Sequence, residues 1–316
     1  MPKFISILSR DAAKYAELFT DSSIVEHHDV QLDIVSTDPK ALFQSRTQIL
    51  LTDPGLGAEV IDTLAHLQWC QSTWAGNSPL IQTGRNDYFL TGAKGIFSQA
   101  MTEYVLTYIL HHCRHVDKMQ ALQQQKSWQP PIMQLLSDKT LGIMGFGDIA
   151  HGMIVPLQAL GLKLVALNSD GRNIFGYPKI PVEASVDKCI FAQQADIILN
   201  LLPDSKRTNG FIDKEFIHSM QPNTLFINAG RGSVIDDNDL LYALKLGKIG
   251  KAVLDVTMEE PLPKGHPFWK HPQILLTQHT AATSKPEWVF EIFEQNLQRF
   301  FLRAPLKYQV NWKKGY

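Results

Sequence analysis

The chain has 316 residues, with 30 Lys and Arg against 31 Asp and Glu, so its formal net charge is −1. That balance gives no electrostatic pull toward nucleic acid or an acidic membrane surface, and no apolar run approaches the ~20 residues of a membrane span. Three widely spaced cysteines, Cys70, Cys113 and Cys189, argue against a disulfide framework and for a reducing, cytoplasmic setting.

The length suggests two domains of roughly 100–200 residues each. At the amino terminus FISILS reads as a strand leading into a helix, and not as a signal peptide, because Arg10 and Asp11 interrupt the apolar run. QLDIVS, QILLTD and LQWCQST read as further short strands, giving a small parallel α/β domain up to about residue 98. From Ser98 to Gln125 the pattern is that of one long amphipathic helix. After the loop KSWQPPIM, strand and helix alternate again through TLGIMGF, LKLVALN, ADIILNLL, TLFINAG, KAVLDV and ILLTQ. Asp236 to Asp239 offer a cap to the helix in DDNDLLYALKLG, and a last helix, KPEWVFEIFEQNLQRFFL, follows Ser284.

Gly145, Phe146, Gly147, Asp148, Ile149 and Ala150 form G-x-G-x-x-A between a strand and a helix. The glycines allow a tight turn and close approach of the backbone to a pyrophosphate, which the helix amino terminus attracts. Roughly 20 residues on, where an acidic side chain usually takes the ribose 2′-hydroxyl, the strand ends in Asn168 and Ser169. Neutral groups there, with Arg172 close by, favour NADP(H). Asp170 keeps NAD(H) open, since a one-residue shift of the turn lets it act as the acidic residue.

Three polar residues follow three later strands: Arg231 in NAGRG, Glu260 in EEPLP and His279 after ILLTQ. In an open α/β sheet such strand ends line the ligand edge. A guanidinium to hold an anion, with a carboxylate and an imidazole as an acid–base pair near neutral pH, suits reduction of an anionic carbonyl compound.

With STWAGNSPL, TLGIMGFGDIAHGM and LNLLPDSKRTNGFID before it, the segment from Leu225 to His279 resembles the D-isomer-specific 2-hydroxyacid dehydrogenase family, over most of the chain and in the family's order. The resemblance implies an α/β protein with a Rossmann-type dinucleotide-binding domain, residues 99–284, and a smaller flavodoxin-like α/β substrate domain, residues 1–98 and 285–316. It implies NAD(P)H-dependent reduction of a short 2-keto acid to the D-2-hydroxy acid, with His279 as acid–base, Glu260 orienting it and Arg231 binding substrate. The E-P-L-P register selects Glu260 over its neighbour Glu259. Trp74, Ala75, Gly76 and Asn77 match the substrate loop, although Trp74 and Ser78 replace the small residue and the Asp of many relatives. Leu202, Pro203, Thr208, Ala229, Gly230, Asp255, His279 and Ala281 match cofactor contacts, Asp255 near the nicotinamide carboxamide. No metal is implied.

A homodimer is implied as well, through the long helix after Ser98 and parts of the nucleotide domain; Tyr104, Tyr108 and His112 on that helix fit an interface, and core packing explains them as well. SWQP, Asn168 and the terminal Gly315-Tyr316 resemble the glyoxylate/hydroxypyruvate reductase branch. A phosphoglycerate dehydrogenase-like enzyme and a non-catalytic NAD(H)-sensing corepressor-like protein are the alternatives.

Overall fold

Strands that are covered on both faces need continuous apolar runs, and the runs of this chain become parallel strands. The computed structural model describes residues 2–23 and 29–312, so the branch likeness carried by Gly315 and Tyr316 lies outside the described residues. Two compact units form: the chain up to Ile96 together with the segment from Ser284 onward, and Phe97–Thr283.

The first unit contains β1 (Lys3–Leu8), α1 (Ala12–Thr20), β2 (Val30–Ser36), β3 (Ile49–Thr52), α2 (Pro54–Ala58), β4 (Trp69–Ser72), α3 (Ser78–Gln82) and β5 (Phe89–Thr91). Its sheet runs β2-β1-β3-β4-β5 with every neighbouring pair parallel, the flavodoxin-like order. The final helix, Pro286–Phe301, belongs to this unit because its apolar stripe fits there. Phe293 and Phe300 stack on the fully buried Trp69 at 5.2 and 5.7 Å between ring centroids. Buried Asn296 donates to Gln71 Oε1 at 3.2 Å.

The second unit contains α4 (Ser98–Cys113), α5 (Val116–Gln124), β6 (Thr140–Met144), α6 (Asp148–Ala159), β7 (Lys163–Asn168), β8 (Val182–Ala184) and α7 (Lys188–Gln194). It continues with β9 (Ile197–Asn200), α8 (Lys214–Ser219), β10 (Thr224–Asn228), α9 (Asp237–Lys245), β11 (Ile249–Leu254) and β12 (Ile274–Leu276). The sheet order is β12-β11-β10-β9-β6-β7-β8, all parallel. This is the doubly wound dinucleotide-binding order with one added strand, and its direction of winding reverses between β6 and β9.

Two local expectations are corrected. The long helix breaks at His115, which adopts φ 51°, donates its backbone N–H to His112 and sets Nε2 3.1 Å from the Ile132 carbonyl. The short strands β5 and β8 were not expected, because three residues carry too little pattern to separate from loop. Of the two readings open for Tyr104, interface or core packing, the structure takes the second: it lies in the core of its own unit, only 9 % exposed.

Candidate active site

The turn leaving β6 requires glycine at position 145. Gly145 has φ 96°, and an added Cβ would stand 2.9 Å from the Leu201 carbonyl. Gly147 precedes α6 without a side-chain cap, and a Cβ there would meet nothing within 4 Å. An uncapped helix amino terminus beside open space fits a pyrophosphate, which would take first-turn N–H groups and the favourable dipole. Asp148 and Ile149 begin that turn, and Ala150 is fully buried. Phe146 turns its ring into the core, edge-on to Phe175 at 5.5 Å, and leaves only backbone for a ligand.

Asn168 ends β7, yet its side chain is committed to the following turn. Oδ1 accepts from the N–H groups of Asp170 (3.2 Å) and Gly171 (2.7 Å), while Nδ2 donates to the Arg172 carbonyl (2.7 Å). Such a side-chain turn consumes the amide's polar groups. Arg172 is 78 % exposed, with Nε 3.4 Å from Asp170 Oδ2, and the Ser169 carbonyl accepts from Ser185 Oγ. Across the switch point, Leu202 donates its N–H to Asn200 Oδ1 at 3.1 Å. Thr208 Oγ1 donates to the Pro203 carbonyl (2.6 Å) and accepts from the Ser205 N–H (3.0 Å), which pins residues 203–208.

Two residues escaped the sequence reading. Asn200 and Asn228 each close a strand and are buried; Asn200 Nδ2 donates to Asn228 Oδ1 at 2.8 Å. Asn228 in turn donates to the Arg231 carbonyl (3.1 Å) and accepts from the Gly230 N–H (3.3 Å). The pair therefore ties the ends of β9 and β10 to the turn that holds Ala229, Gly230 and Arg231. An Asn as the last residue of two apolar strands was the available signal.

Arg231, Glu260 and His279 follow the adjacent strands β10, β11 and β12. Gly232 lets the Arg231 turn press on the next loop, since an added Cβ would lie 2.0 Å from the Thr257 carbonyl carbon. Arg231 Nη1 donates to the Gly230 carbonyl at 2.7 Å, which fixes its guanidinium. Glu260 Oε1 accepts from the Thr257 N–H at 3.1 Å, and Oε2 lies 2.7 Å from His279 Nδ1. Glu259 instead offers its carbonyl to Thr257 Oγ1.

Burial disfavours the charged form of Glu260, but bonds from His279 and Thr257, with the charges of His279 and Arg231, hold its carboxyl below the usual range. The Glu260 hydrogen bond lifts the His279 imidazole above its ordinary value. Burial and Arg231 oppose that rise, while the charges of Glu260 and Asp255 add to it. Each partner thus favours the ionised form of the other. With Nδ1 on Glu260, Nε2 is left to exchange a proton.

Asp255 follows β11 and is buried at 4 % exposure, where it binds the 277–281 segment, including the N–H of Ala281 at 3.0 Å. In the first unit, Thr73 Oγ1 donates to buried Asp53 at 2.6 Å and anchors the start of the Trp74–Asn77 loop. Trp74 is 40 % exposed, its N–H donates to Ser72 Oγ, and Asn77 Nδ2 donates to the Ala75 carbonyl at 3.3 Å. Gly76 stands half-buried between them. Among the described residues no group of three His, Cys, Asp or Glu side chains is arranged to hold a metal ion, and no helix is long and apolar enough to cross a membrane.

A sequence profile for the NAD-binding domain of the D-isomer specific 2-hydroxyacid dehydrogenases matches residues 106–281. The chain is 32 % identical over 200 residues to glyoxylate/hydroxypyruvate reductase A of Serratia proteamaculans, a match that spans 63 % of each protein and so under two thirds of that relative. Against the glyoxylate/hydroxypyruvate reductase A of Escherichia fergusonii it is 29 % identical over 292 residues, covering 92 % of this chain and 89 % of the relative. The crystal structure of a D-isomer specific 2-hydroxyacid dehydrogenase family protein from Aeromonas salmonicida superposes with a TM-score of 0.88 at 31 % identity. That match covers 99 % of this chain and all of the other.

Proposed function

The chain belongs to the D-isomer-specific 2-hydroxyacid dehydrogenase family, and from that premise we propose that it reduces a short 2-keto acid, of the glyoxylate or hydroxypyruvate type, to the D-2-hydroxy acid. The observation that carries this reading is the 2.7 Å His279–Glu260 pair set beside Arg231 at the ends of adjacent strands. The names of the two reductase relatives support the substrate class.

The nicotinamide cofactor, when bound, supplies the hydride; the chain supplies the proton and the fixed charges. Gly145 to Ile149 would hold its pyrophosphate, with Leu202, Pro203, Thr208, Ala229, Gly230, Asp255 and Ala281 along the rest of its length. His279, charged through Glu260, gives its Nε2 proton to the carbonyl oxygen as that oxygen gains negative charge, and takes it back in the reverse direction. Arg231 binds the carboxylate or the carbonyl oxygen and stabilises the developing charge. NADP(H) is the preferred cofactor, because Asn168 and Ser169 bring no negative charge to the end of β7 and the exposed Arg172, although 3.4 Å from Asp170, offers a guanidinium to a 2′-phosphate.

A second copy of the chain covers the exposed apolar side chains around α4 and the 128–135 loop, giving a homodimer. Leu110, Trp128, Ile132 and Leu135 are 41, 97, 92 and 59 % exposed, and large apolar side chains left open in this way are what a partner surface covers. The odd, unpaired cysteines fit the cytoplasm.

The test is loss of 340 nm absorbance with NADPH and NADH in parallel, against glyoxylate, hydroxypyruvate, pyruvate and phosphohydroxypyruvate. Turnover of a short unphosphorylated acid, faster with NADPH, is the expected result. Turnover of phosphohydroxypyruvate alone, or cofactor binding without turnover of any acid, overturns the reading.

The pH dependence follows from the raised His279. Its protonated form is needed for reduction, so kcat/KM holds on the acid side and falls as pH rises through the elevated pKa. In Glu260→Gln the anion that lifts His279 is gone, and the alkaline limb moves to lower pH. An unmoved limb in that variant breaks the assignment of the limb to this pair.

A further inference from the structure

His279 sits on a segment whose backbone is costly to hold. Gln278 and His279 are consecutive non-glycine residues at φ 56° and 60°, a conformation that surrounding bonds must over-determine. Those bonds converge on one residue. Asp255 takes the His279 N–H on its carbonyl at 2.6 Å, Thr277 Oγ1 (2.7 Å) and the Thr280 N–H (2.8 Å) on Oδ1, and the Ala281 N–H (3.0 Å) on Oδ2. Thr280 Oγ1 closes the turn by donating to the Thr277 carbonyl at 2.7 Å.

One bond reaches this turn from a distant part of the second unit. Tyr104, on α4, places its hydroxyl 2.8 Å from Thr277 Oγ1, across 173 positions of sequence. Thr277 has a single proton and spends it on Asp255, so Tyr104 is the donor to Thr277. Burial pushes the Tyr104 phenol up, which keeps that proton in place, and Tyr108 packs edge-on to the ring at 4.8 Å. The chain of donation therefore runs from Tyr104 to Thr277 to Asp255.

We propose that Thr277 and Tyr104 are positioning residues for His279: through Asp255 they hold the 277–281 turn in the left-handed conformation that aims the imidazole at Glu260. The proposal rests on the assignment of His279 as the acid–base group. Neither residue is placed to touch the reacting atoms. Their work is to keep the imidazole from drifting, and misplacement of a reacting group by about 1 Å costs up to about a hundredfold in rate. The charged groups that act on His279 are Glu260, Asp255 and Arg231, and of these Glu260 is the one hydrogen-bonded to the ring.

The experiment compares Thr277→Val, which keeps the shape and removes the hydroxyl, with Thr277→Ser, which keeps the hydroxyl, and with Tyr104→Phe. In Thr277→Val kcat falls about tenfold while KM for the keto acid stays nearly unchanged, because the proton donor and not the binding groups has moved. Thr277→Ser retains the wild-type rate, and Tyr104→Phe falls in the same direction by less. The cofactor-free protein provides a second readout: the His279 imidazole, followed by NMR titration and assigned with His279→Gln, titrates at lower pH in Thr277→Val as the ring loses Glu260.

An unchanged titration and rate in both Thr277→Val and Tyr104→Phe overturn the proposal. Should Thr277→Val fail to fold, Tyr104→Phe alone decides, since it retains the ring that packs on Tyr108. A shifted titration combined with full activity in His279→Gln supports the positioning role and instead sinks the assignment of His279 to catalysis.

Discussion

Replacement of His279 by alanine lowers kcat/KM for keto-acid reduction at pH 7 by about 10²–10⁴-fold, the range contributed by a well-placed acid–base group. The structure motivates so large a loss because no neighbouring group can take over. Glu260 loses the His279 bond and charge in this variant, but the Thr257 N–H and the Arg231 charge still favour its carboxylate, which makes it a poor proton donor. Arg231 does not release one either. Cofactor binding, followed by the quenching or transfer of tryptophan fluorescence, remains close to that of the parent protein. Steady-state rates over a range of pH check the prediction. The variant also loses the alkaline limb, because the group that titrates is absent. A variant that reduces keto acids at the parent rate removes His279 from the chemistry.

Arg231→Ala lowers kcat/KM by about 10²–10³-fold, as loss of a fixed positive donor at a developing oxyanion does. Arg231→Lys recovers only part of this. Lysine keeps the charge but not the planar fork that reaches two oxygens at once. The fork is already oriented here, through its bond to the Gly230 carbonyl and the turn that Asn228 ties down. A lysine ammonium has no such second point of attachment. If the alanine variant loses rate on a neutral ketone as steeply as on the keto acid, Arg231 serves the carbonyl oxygen; if only the keto acid suffers, it serves the carboxylate. No loss on either removes it from the site.

The strands and the nucleotide turn were legible in the chain because their causes are local. Parallel strands buried on both faces read as apolar runs, and Gly145 announces a turn that no side chain fits. Arg231, Glu260 and His279 could be singled out because polar residues just past such runs fall on one edge of the sheet. Asn168 was harder. Its place at the end of β7 is visible in sequence, but the direction of its side chain is not, and the amide turns inward to organise residues 170–172. The break at His115 was invisible for a similar reason, since no Gly or Pro marks it and its imidazole meets a carbonyl 17 residues away. Tyr104 fitted an interface and core packing equally, because amphipathic spacing shows which residues share a helix face, not what lies against it.

Composition and pattern settle the residue types: a glycine turn for a dinucleotide, a guanidinium, a carboxylate and an imidazole in a fixed order. The three-dimensional fold settles the pairings. The E-P-L-P register singles out Glu260 over Glu259, but only the closed loop brings its carboxylate within 2.7 Å of His279 Nδ1, 19 residues away. Likewise four bonds from residues 277, 279, 280 and 281 meet on Asp255, with Tyr104 behind them. Local propensity acts over a few residues and writes itself into the chain, whereas a hydrogen bond forms only at contact distance and between groups that the packing brings together.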